Sequence, residues 1–344
     1  MRAVVLTGIR QMELADVPEP SIRTDSDVLL KVEMAGICGS DVHYYETGRI
    51  GSQIVEYPFI VGHECTATVK AVGREVTRVK VGDRVVVVPA IACNECDQCR
   101  IGRRNTCRNL RVLGCPGQAS GCLCEYIVMP EDCCFPIGEK VTFAQGVLCE
   151  PLAIGLYAVK QACLLEGVDI AILGAGPIGL SCLVIAKAEN ANTCYVTEKV
   201  EERIKIAENI GATWVGNPNK EDIIKEILKR QPAGMDVVFE CAGRQETIDQ
   251  AVELLKPGGK LMLIGIPRTE EISFMIHQMR RKEITVINVR RQNECMQTSI
   301  DLIACGKIDV DFMLTHKFKL EQTEDAFDLV AGYGDGVIKA LIEL

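Results

Sequence analysis

Apolar and polar positions alternate in short runs over the first part of the chain. From Lys31 to about Pro136, runs such as VLLKVEMAGI, ATVKAVG, DRVVVVPA and EYIVMP are separated by Gly, Pro and Asp. Short alternating runs bounded by turn residues are typical of β-strands joined by tight turns. This part of the chain is therefore predicted to be an all-β region.

The pattern changes near Val168, where short β-like runs begin to alternate with longer helical ones. DIAIL precedes PIGLSCLVIAKAE, CYVTE precedes VEERIKIAENIG, and DVVFE precedes ETIDQAVELLKPGG, whose Pro–Gly pair should end a helix before KLMLIGI. Repeated strand–helix units favour a parallel sheet with helices on both faces. After Arg290 the pattern returns to helix and short strand, and we expect part of this segment to rejoin the first domain.

Length and charge narrow the class of protein. The 344 residues suffice for two domains that each bury a core. The formal charge of −9 repels phosphate backbones and anionic membranes, so neither nucleic acid nor a membrane is an expected partner. The opening MRAVVLTG has no apolar h-region, so we expect no export signal, and glycines and a proline interrupt the apolar run IAILGAGPIGLSCLVIA. We expect a cytoplasmic protein.

The segment GAGPIG follows a predicted strand and opens a predicted helix. It places Gly174, Gly176 and Gly179 in G-x-G-x-x-G spacing, with Pro177 and Ile178 between the last two glycines. Glycines permit the tight turn and the close backbone approach that a dinucleotide pyrophosphate requires at a helix N-terminus. A glycine-rich turn without a ligand is the alternative, and the strand and helix around the motif favour the dinucleotide.

Glu198 ends the second strand of this region, 22 residues after Gly176 (198 − 176). A carboxylate there can accept hydrogen bonds from the adenosine ribose and repels a 2′-phosphate, which favours NAD over NADP. Lys199 and Arg203 lie nearby in sequence and could weaken this preference. The alternative is a solvated glutamate at a strand end.

Four cysteines, Cys93, Cys96, Cys99 and Cys107, follow the spacing C-x2-C-x2-C-x7-C within residues 93–107. Four thiolates can close a tetrahedron around Zn²⁺ and leave no position for a substrate, so a structural zinc is predicted. An iron–sulfur run more typically spaces its fourth cysteine by three residues and follows it with proline. Such a cluster and free thiols remain the alternatives, while disulfides would need an oxidising compartment.

A second set of candidate ligands lies earlier in the chain. AGICGSDVHYYE supplies Cys38, and FIVGHEC supplies His63 and Glu64. A thiolate, an imidazole and a carboxylate suit zinc with one position left for water or substrate. A single histidine beside a glutamate is more often structural, so these residues alone leave the question open.

Several motifs occur in a fixed order, namely CGSDVHYYETGRIG, GHE, VGDRV, the cysteine lobe, CEPLAIG and GAGPIG. Over essentially the whole chain this order resembles the zinc-dependent medium-chain dehydrogenases, and YETGRIG is similar to their sorbitol (polyol, L-iditol 2-) dehydrogenase branch. The resemblance implies an α/β protein with a GroES-like β-rich catalytic domain over 1–152 that carries the structural-zinc lobe. A Rossmann doubly wound parallel-sheet domain over 153–289 would bind NAD, and 290–344 would return to the catalytic domain.

The resemblance also implies the catalytic residues. Cys38, His63 and Glu64 fall on catalytic zinc ligands, and Glu150 falls on an acidic residue that binds the metal or its water. A carboxylate at a helix start is the alternative for Glu150. The expected cofactors are two Zn²⁺ per chain, one catalytic and one structural, and NAD.

Two further residues match a proton relay in this family. Ser40 and His43 correspond to the hydroxyl and the imidazole that pass the alcohol proton outward along the nicotinamide ribose. The alternative is a turn serine and a half-exposed histidine.

The resemblance also implies substrate contacts. Tyr44 and Arg49 match positions near the polyol, although either could be a packing aromatic or a surface charge. Arg290 aligns with a substrate-side arginine, whereas Arg291 stands where the branch often has tyrosine. Its extra guanidinium could favour an acidic or phosphorylated sugar alcohol. Ala67 replaces the second glycine of GHExxG, which changes packing and removes no chemistry.

The implied activity is zinc- and NAD-dependent oxidation of a secondary hydroxyl of a sorbitol-, xylitol- or iditol-like sugar alcohol to the ketose. Zinc-alkoxide formation would precede hydride transfer to NAD⁺, and the protein would be a homodimer or homotetramer. The alternative keeps this chemistry on a sugar-alcohol phosphate, a vicinal diol or a threonine-like substrate. A non-enzymatic zinc-ribbon protein is disfavoured by the acidic charge and the glycine motif, and an iron–sulfur electron carrier is disfavoured similarly.

Overall fold

The computed structural model describes residues 1–163 and 166–344. Within them the chain forms two compact units. The first unit combines Met1–Glu150 with Met296–Leu344, and the second unit is Pro151–Cys295. Among the described residues, no helix combines the length and apolar character that crossing a membrane requires.

The strands are numbered in chain order. They are β1 (Arg2–Gly8), β2 (Gln11–Asp16), β3 (Asp27–Gly36), β4 (Arg49–Ile50), β5 (Gln53–Ile54), β6 (Glu64–Val72), β7 (Arg84–Val87), β8 (Ala90–Ile91), β9 (Arg111–Val112), β10 (Tyr126–Pro130), β11 (Cys134–Pro136), β12 (Asp169–Leu173), β13 (Thr193–Thr197), β14 (Trp214–Gly216), β15 (Met235–Glu240), β16 (Leu255–Leu263), β17 (Thr285–Asn288), β18 (Leu314–Lys319) and β19 (Lys339–Glu343).

The α-helices are numbered in the same way. They are α1 (Gly39–Thr47), α2 (Asp97–Arg100), α3 (Phe143–Ala162), α4 (Pro177–Ala188), α5 (Glu201–Asn209), α6 (Ile223–Arg230), α7 (Gln245–Leu254), α8 (Ile276–Lys282), α9 (Met296–Ala304) and α10 (Thr323–Ala331). Short 3-10 helices cover Arg104–Thr106, Glu131–Cys133, Asp311–Met313, Leu320–Gln322 and Gly334–Gly336.

A mainly antiparallel sheet forms the centre of the first unit. Its strand order is β11-β7-β6-β3-β19-β18, and β10 also pairs with β3. Buried and partly exposed positions alternate along β3, as expected for a strand with one face on the core. β6 runs antiparallel to β3 so that Glu64 faces Gly36. β19 pairs with the same end of β3, with Leu341 opposite Gly36.

The prediction of an all-β region over 31–136 is wrong in one respect, because α1 and α2 lie within it. α1 begins with a capping box in which the Asp41 side chain accepts the backbone N–H of Cys38. Gly48, in the left-handed conformation with φ 68°, ends it. These local end signals outweigh the surrounding strand pattern.

The second unit contains a six-stranded, fully parallel sheet, which confirms the predicted α/β fold class. Its order is β14-β13-β12-β15-β16-β17. The strands β13 and β14 therefore lie on one side of β12, and the later strands β15, β16 and β17 lie on the other. Ligands of such sheets bind outside the carboxyl ends of the strands, at the point where the order reverses. That point lies between β12 and β15.

Burial explains why these strands form. Ile170, Ala171, Ile172 and Leu173 of β12 are fully buried, as expected for a central parallel strand covered on both faces. The core of this unit also takes apolar side chains from β15, α6 and α7. The glycine motif therefore follows directly from a fully buried central strand of the sheet.

Candidate functional site

Three predicted ligands meet in the first unit. The donor atoms of Cys38, His63 and Glu64 all lie within 4.8 Å of one another. Cys38 immediately precedes α1, while His63 and Glu64 stand at the start of β6, and the last two are buried. Sulfur, nitrogen and oxygen at this spacing fit a zinc ion.

Asp41 supports this cluster and was missed by the sequence analysis. It is fully buried, and its Oδ1 lies 3.1 Å from His63 Nδ1 and accepts the N–H of Gly62 at 3.3 Å. A carboxylate on Nδ1 fixes the imidazole so that Nε2 is left for a metal. The signal was present in the sequence, since an acid three residues after Cys38 has capping-box spacing.

The electrostatics of the cluster favour positive charge. Burial lowers the pKa of His63, but Asp41 and Cys38 raise it more, and the pKa ends well above its ordinary value. A cation is therefore stabilised between these groups, as a bound metal would be.

Lys339, also missed, comes from β19 and is 1% exposed. Its Nζ lies 2.6 Å from Glu64 Oε2 and donates to the carbonyl of Ile37 at 3.1 Å. Burial lowers the pKa of Lys339, but the charges of Glu64, Cys38 and Glu150 raise it above the usual value. The lysine is thus a fixed positive charge beside one candidate metal ligand.

Glu150 lies in the part of α3 that belongs to the first unit, and it is 2% exposed. Its charge is close enough to raise the pKa of Lys339. The cluster of donor atoms within 4.8 Å, as found in the described part of the chain, does not include it. Its metal role stays a prediction.

The two predicted relay residues lie on α1. Ser40 and His43 are three residues apart, which places them on one face of the helix, and both are partly exposed. Thr47 donates to the carbonyl of His43 at 2.8 Å and continues this face. The relay role stays a prediction.

The predicted substrate residues occupy different environments. Tyr44 is buried in the first unit, where its hydroxyl donates to Gln53 Oε1 at 3.0 Å. Arg49 is exposed, and its Nε donates to the carbonyl of Gly51 at 3.0 Å. Arg290 and Arg291 follow the carboxyl end of β17 in the second unit, and Arg291 has a left-handed backbone with φ 54°. Their substrate roles stay predictions.

The glycine motif forms the turn between β12 and α4. Gly174 has φ 106°, and a Cβ on Gly179 would lie 1.9 Å from the carbonyl oxygen of Gly174, so both positions require glycine for the fold. A Cβ on Gly176 would meet only Arg203 Nη1, at 3.8 Å. The chain itself does not need glycine at 176, which fits a position that a ligand approaches closely.

Pro177 and Ile178 are the first residues of α4, whose N-cap is Gly176. Proline is pre-organised for the first helical turn and removes a donor that would be unpaired there. The remaining N–H groups of this helix end suit a pyrophosphate. A dinucleotide therefore fits the turn.

Glu198 follows β13 and joins the same turn. Its Oε2 accepts the N–H of Ala175 at 2.9 Å, and its Oε1 accepts the N–H groups of Lys199 and Val200 at 2.7 and 3.0 Å. Arg203 in α5 is 6% exposed. The carboxylate is thus held next to the glycine motif, where an adenosine ribose would be recognised.

The four predicted lobe cysteines also come together. Sγ–Sγ distances are 3.4 Å for Cys93–Cys107, 3.6 Å for Cys96–Cys99, and 4.0 Å for both Cys93–Cys99 and Cys96–Cys107. Four sulfurs about 2.3 Å from one zinc would be about 3.8 Å apart, so the lobe fits a tetrahedral zinc.

The thiols of the lobe differ in acidity. Backbone hydrogen bonds from Arg108 and Cys99 lower the pKa of Cys96 to about 6. Burial, together with the neighbouring thiols, raises the pKa of Cys99 to about 12. One cysteine is therefore ready to bind a cation at neutral pH, while another must first lose a proton.

Comparisons with known proteins agree with these features. Residues 24–139 match the family model for the alcohol dehydrogenase GroES-like domain, and residues 177–305 match that for zinc-binding dehydrogenases. Sorbitol dehydrogenase of Bacillus subtilis (strain 168) is 36% identical over 343 residues, covering 99% of this chain and 97% of that protein. L-idonate 5-dehydrogenase of Vitis vinifera is 33% identical over 349 residues, covering 99% and 94%. A crystal structure of an oxidoreductase/dehydrogenase of unknown specificity from Escherichia coli superposes with a TM-score of 0.94 at 33% identity, covering 99% and 98%.

Proposed function

The chain belongs to the zinc-dependent medium-chain dehydrogenases, and from that membership we propose that this oxidoreductase is a polyol dehydrogenase. It oxidises a secondary hydroxyl of a sorbitol-, xylitol- or iditol-like sugar alcohol to the ketose, with NAD⁺ as hydride acceptor. The observation that carries the proposal is the cluster of Cys38, His63 and Glu64 donor atoms within 4.8 Å of one another.

These three side chains would hold the catalytic zinc. Asp41 fixes the ring of His63, and Lys339 balances the charge of Glu64. When bound, zinc would supply a Lewis acid that favours loss of the substrate hydroxyl proton, and NAD⁺ would supply the hydride acceptor. The protein's own contribution in the first unit is to hold the three ligand side chains in a fixed arrangement, with His63 and Glu64 buried.

Glu150 is proposed as a further carboxylate that binds the metal or its water. Its burial in the first unit and its electrostatic effect on Lys339 support this role. A buried carboxylate needs a cation nearby to stay ionised, and the metal cluster and Lys339 lie in the same unit.

Ser40 and His43 are proposed to move the released proton. Their shared face on α1 and their partial exposure support a route from a buried hydroxyl outward to water. The serine hydroxyl can accept one proton while donating its own, and the imidazole can then hold or pass it on near neutral pH.

The second unit is proposed to bind NAD. Support comes from the close-packed Gly174 and Gly179, from the open space around Gly176, and from the start of α4 at Pro177 and Ile178. Glu198, with Lys199 and Arg203 beside it, would contact the adenosine ribose. The carboxylate favours NAD over NADP because it repels a 2′-phosphate.

The cysteine lobe is proposed to bind a second, structural zinc, which gives two zinc ions per chain. Its sulfur spacing supports a closed tetrahedral site. A site with four protein ligands offers no place to a substrate, so this zinc stabilises the fold and takes no part in the reaction.

A second candidate substrate is an acidic or phosphorylated sugar alcohol. Arg291 favours it, because a guanidinium after β17 can bind a carboxylate or phosphate with two parallel hydrogen bonds. A relative with 33% identity is named for L-idonate, which carries a carboxylate. Tyr44, Arg49 and Arg290 are proposed as further substrate contacts for either class.

The test is a substrate panel followed by NADH absorbance. It contains sorbitol, xylitol, L-iditol, their phosphates, L-idonate, a vicinal diol and threonine, assayed with the intact protein and with Cys38→Ala. We expect NADH formation with a polyol and none with Cys38→Ala. Equal turnover by both proteins would refute the proposal. Preference for the acidic substrates, lost in Arg291→Tyr, would establish the second candidate instead.

Homo-oligomerisation, as a dimer or tetramer, and a cytoplasmic location complete the proposal. Ile276, Met275 and Ile266 are 63%, 39% and 49% exposed, and β17 forms an edge of its sheet, which supports contact with another copy. Size-exclusion chromatography with light scattering measures the mass of the assembly directly.

The cytoplasmic location is supported by the many cysteines that are buried in apolar surroundings, where a reduced thiol packs as a small hydrophobic side chain.

A further inference from the structure

Glu240 is a buried acid that the proposed reaction does not use. It ends β15 at the carboxyl edge of the parallel sheet and is 1% exposed. In register it lies between Leu173, which leads into the glycine motif, and Leu263 at the end of β16. This is the point where the strand order reverses, and a buried charge there requires an explanation.

One oxygen of Glu240 receives three donors, two from the turn that joins β15 to α7 and one from the first turn of α7 itself. Oε1 accepts the N–H groups of Ala242 and Gly243 at 2.9 and 2.7 Å and lies 2.7 Å from Thr247 Oγ. Burial raises the pKa of Glu240, and these hydrogen bonds oppose that rise. Glu240 Oε1 is therefore held by this turn and by the start of α7, and it constrains the conformation of the turn.

The backbone of Glu240 holds a second segment. Its carbonyl oxygen accepts the N–H groups of Ile264 and Gly265, both at 3.0 Å. A Cβ on Gly265 would lie 2.2 Å from the nitrogen of Gly243 and 2.8 Å from Glu240 Oε2. The segments after β15 and β16 are thus packed against each other around Glu240.

The hydrogen bonds determine which backbone atoms face outward. In a planar trans peptide the N–H of one residue points opposite to the C=O of the residue before it. Since the N–H groups of Ala242 and Gly243 point at the carboxylate, the carbonyls of Cys241 and Ala242 point away from it. The turn therefore presents hydrogen-bond acceptors on its side opposite to Glu240.

This turn lies against the glycine motif. The N–H of Cys241 donates to the carbonyl of Leu173 at 3.0 Å, and a Cβ on Gly174 would lie 3.3 Å from the nitrogen of Ala242. Glu198, on the adenosine side, follows β13, which is the neighbour of β12 opposite to β15. A dinucleotide that crosses the glycine motif from β13 thus brings its nicotinamide half to the β15 turn.

We propose that Glu240 is a positioning residue for the nicotinamide half of the cofactor. It turns the carbonyls of Cys241 and Ala242 toward the donors of that half, which are ribose hydroxyls and the carboxamide amine. This inference rests on the proposed function, since it assumes that a nicotinamide dinucleotide binds the second unit.

The test compares two ligands by calorimetry on the full-length protein. NADH reaches both sides of the glycine motif, whereas ADP carries only the adenosine half. In Glu240→Gln, the amide places a donor beside backbone N–H groups, so we expect the Kd for NADH to rise about tenfold and the Kd for ADP to change less than about twofold. Asp169→Asn is the matched control, because it makes the same acid-to-amide change at the first residue of β12. That residue lies at the amino ends of the parallel strands, away from Glu240 at the carboxyl ends. Asp169→Asn should leave both Kd values unchanged.

Two results would overturn the inference, namely an unchanged Kd for NADH in Glu240→Gln, or an equal weakening of NADH and ADP, which a merely structural role predicts. If Glu240→Gln does not fold, Thr247→Val removes one donor, and NADH binding alone should weaken about threefold. Unchanged NADH binding by a folded Thr247→Val would then refute the role. An intact protein that binds no NADH would refute the proposed function itself.

Discussion

Lys339 Nζ and Glu64 Oε2 are 2.6 Å apart, and each side chain is 1% exposed. The pair joins β19 to the start of β6, beside Cys38 and His63. An ion pair removed from water is stable only when both charges stay together, because either one alone has no solvent to replace its partner. The positive charge of Lys339 thereby allows the carboxylate of Glu64 to lie beside the sulfur of Cys38.

Replacing Lys339 with Met should lower the free energy of unfolding by about 3 kcal/mol, because Glu64 would remain buried without its partner. Urea unfolding in the presence of a chelator measures this without a metal as substitute counter-charge. Lys317→Met is the control, since Lys317 and Glu343 form an exposed pair between β18 and β19, and it should cost less than about 0.5 kcal/mol. Equal losses in the two variants would contradict the prediction.

Cys38→Ala should remove one zinc from the protein and leave the lobe zinc in place. Metal analysis should give about one zinc per chain instead of about two, and turnover should fall at least about a thousandfold. Cys65→Ala is the matched control, because Cys65 follows Glu64 in β6 and is buried but lies outside the donor cluster. Loss of zinc from both variants alike would argue against Cys38 as a ligand.

Cys99→Ser should affect stability and leave the chemistry intact. We expect Tm to fall by about 5 to 10 °C and soluble yield to drop, because a structural zinc contributes folding energy. The folded fraction should keep its kcat. Cys305→Ser, at an exposed cysteine, should change neither quantity. A folded Cys99→Ser protein without turnover would show that the lobe participates in catalysis.

Zinc binding by the lobe should release fewer protons than it has cysteines. At pH 7.5 Cys96, with a pKa of about 6, is already a thiolate, whereas Cys99, with a pKa of about 12, is protonated. Calorimetry of metal-free Cys38→Ala in buffers of different ionisation enthalpy should report about two to three protons at that pH. Apparent affinity should fall as the pH is lowered, since protons then compete with zinc. Release of one proton per cysteine would contradict the assigned acidity.

Gly176→Ala should separate ligand binding from folding. Its Cβ would meet only Arg203 Nη1 at 3.8 Å, so Tm should stay within about 2 °C, while the Kd for NADH should rise at least about tenfold because the backbone can no longer be approached closely. Gly138→Ala, where a Cβ has nothing within 4 Å, is the control. Undiminished NADH affinity would place the cofactor elsewhere.

The parallel sheet was predictable because its strands are buried on both faces and read as short apolar runs. DIAIL coincides with β12, and DVVFE lies within β15. The end of α7 was less predictable. The helix stops at Leu254, and the Pro257–Gly258 pair that was expected to end it lies inside β16 instead. The sheet pairing of Leu255 with Met235 competes there with helix propagation.

The ligand types at the candidate metal centre were visible in the sequence, and so was the capping-box spacing of Asp41, but the long-range contacts of the supporting charges were not. Asp41 contacts His63 across 22 positions, and Lys339 reaches Ile37 across 302. A pattern within a short window cannot show which distant charge is paired, and a lysine in the apolar run VIKALIEL gives only a weak sign of burial. The catalytic roles assigned to the site residues stay predictions until the variants are measured.

The pairing of β19 with β3 also determines when the site can be completed during synthesis. A growing polypeptide that has already made Cys38, His63 and Glu64 must wait until residues 339–343 leave the ribosome before the acid beside its histidine gains a counter-charge. Until then the early half carries an unpaired edge of β3 and a carboxylate without its counter-charge, and partly folded chains with unpaired strand edges are prone to aggregate.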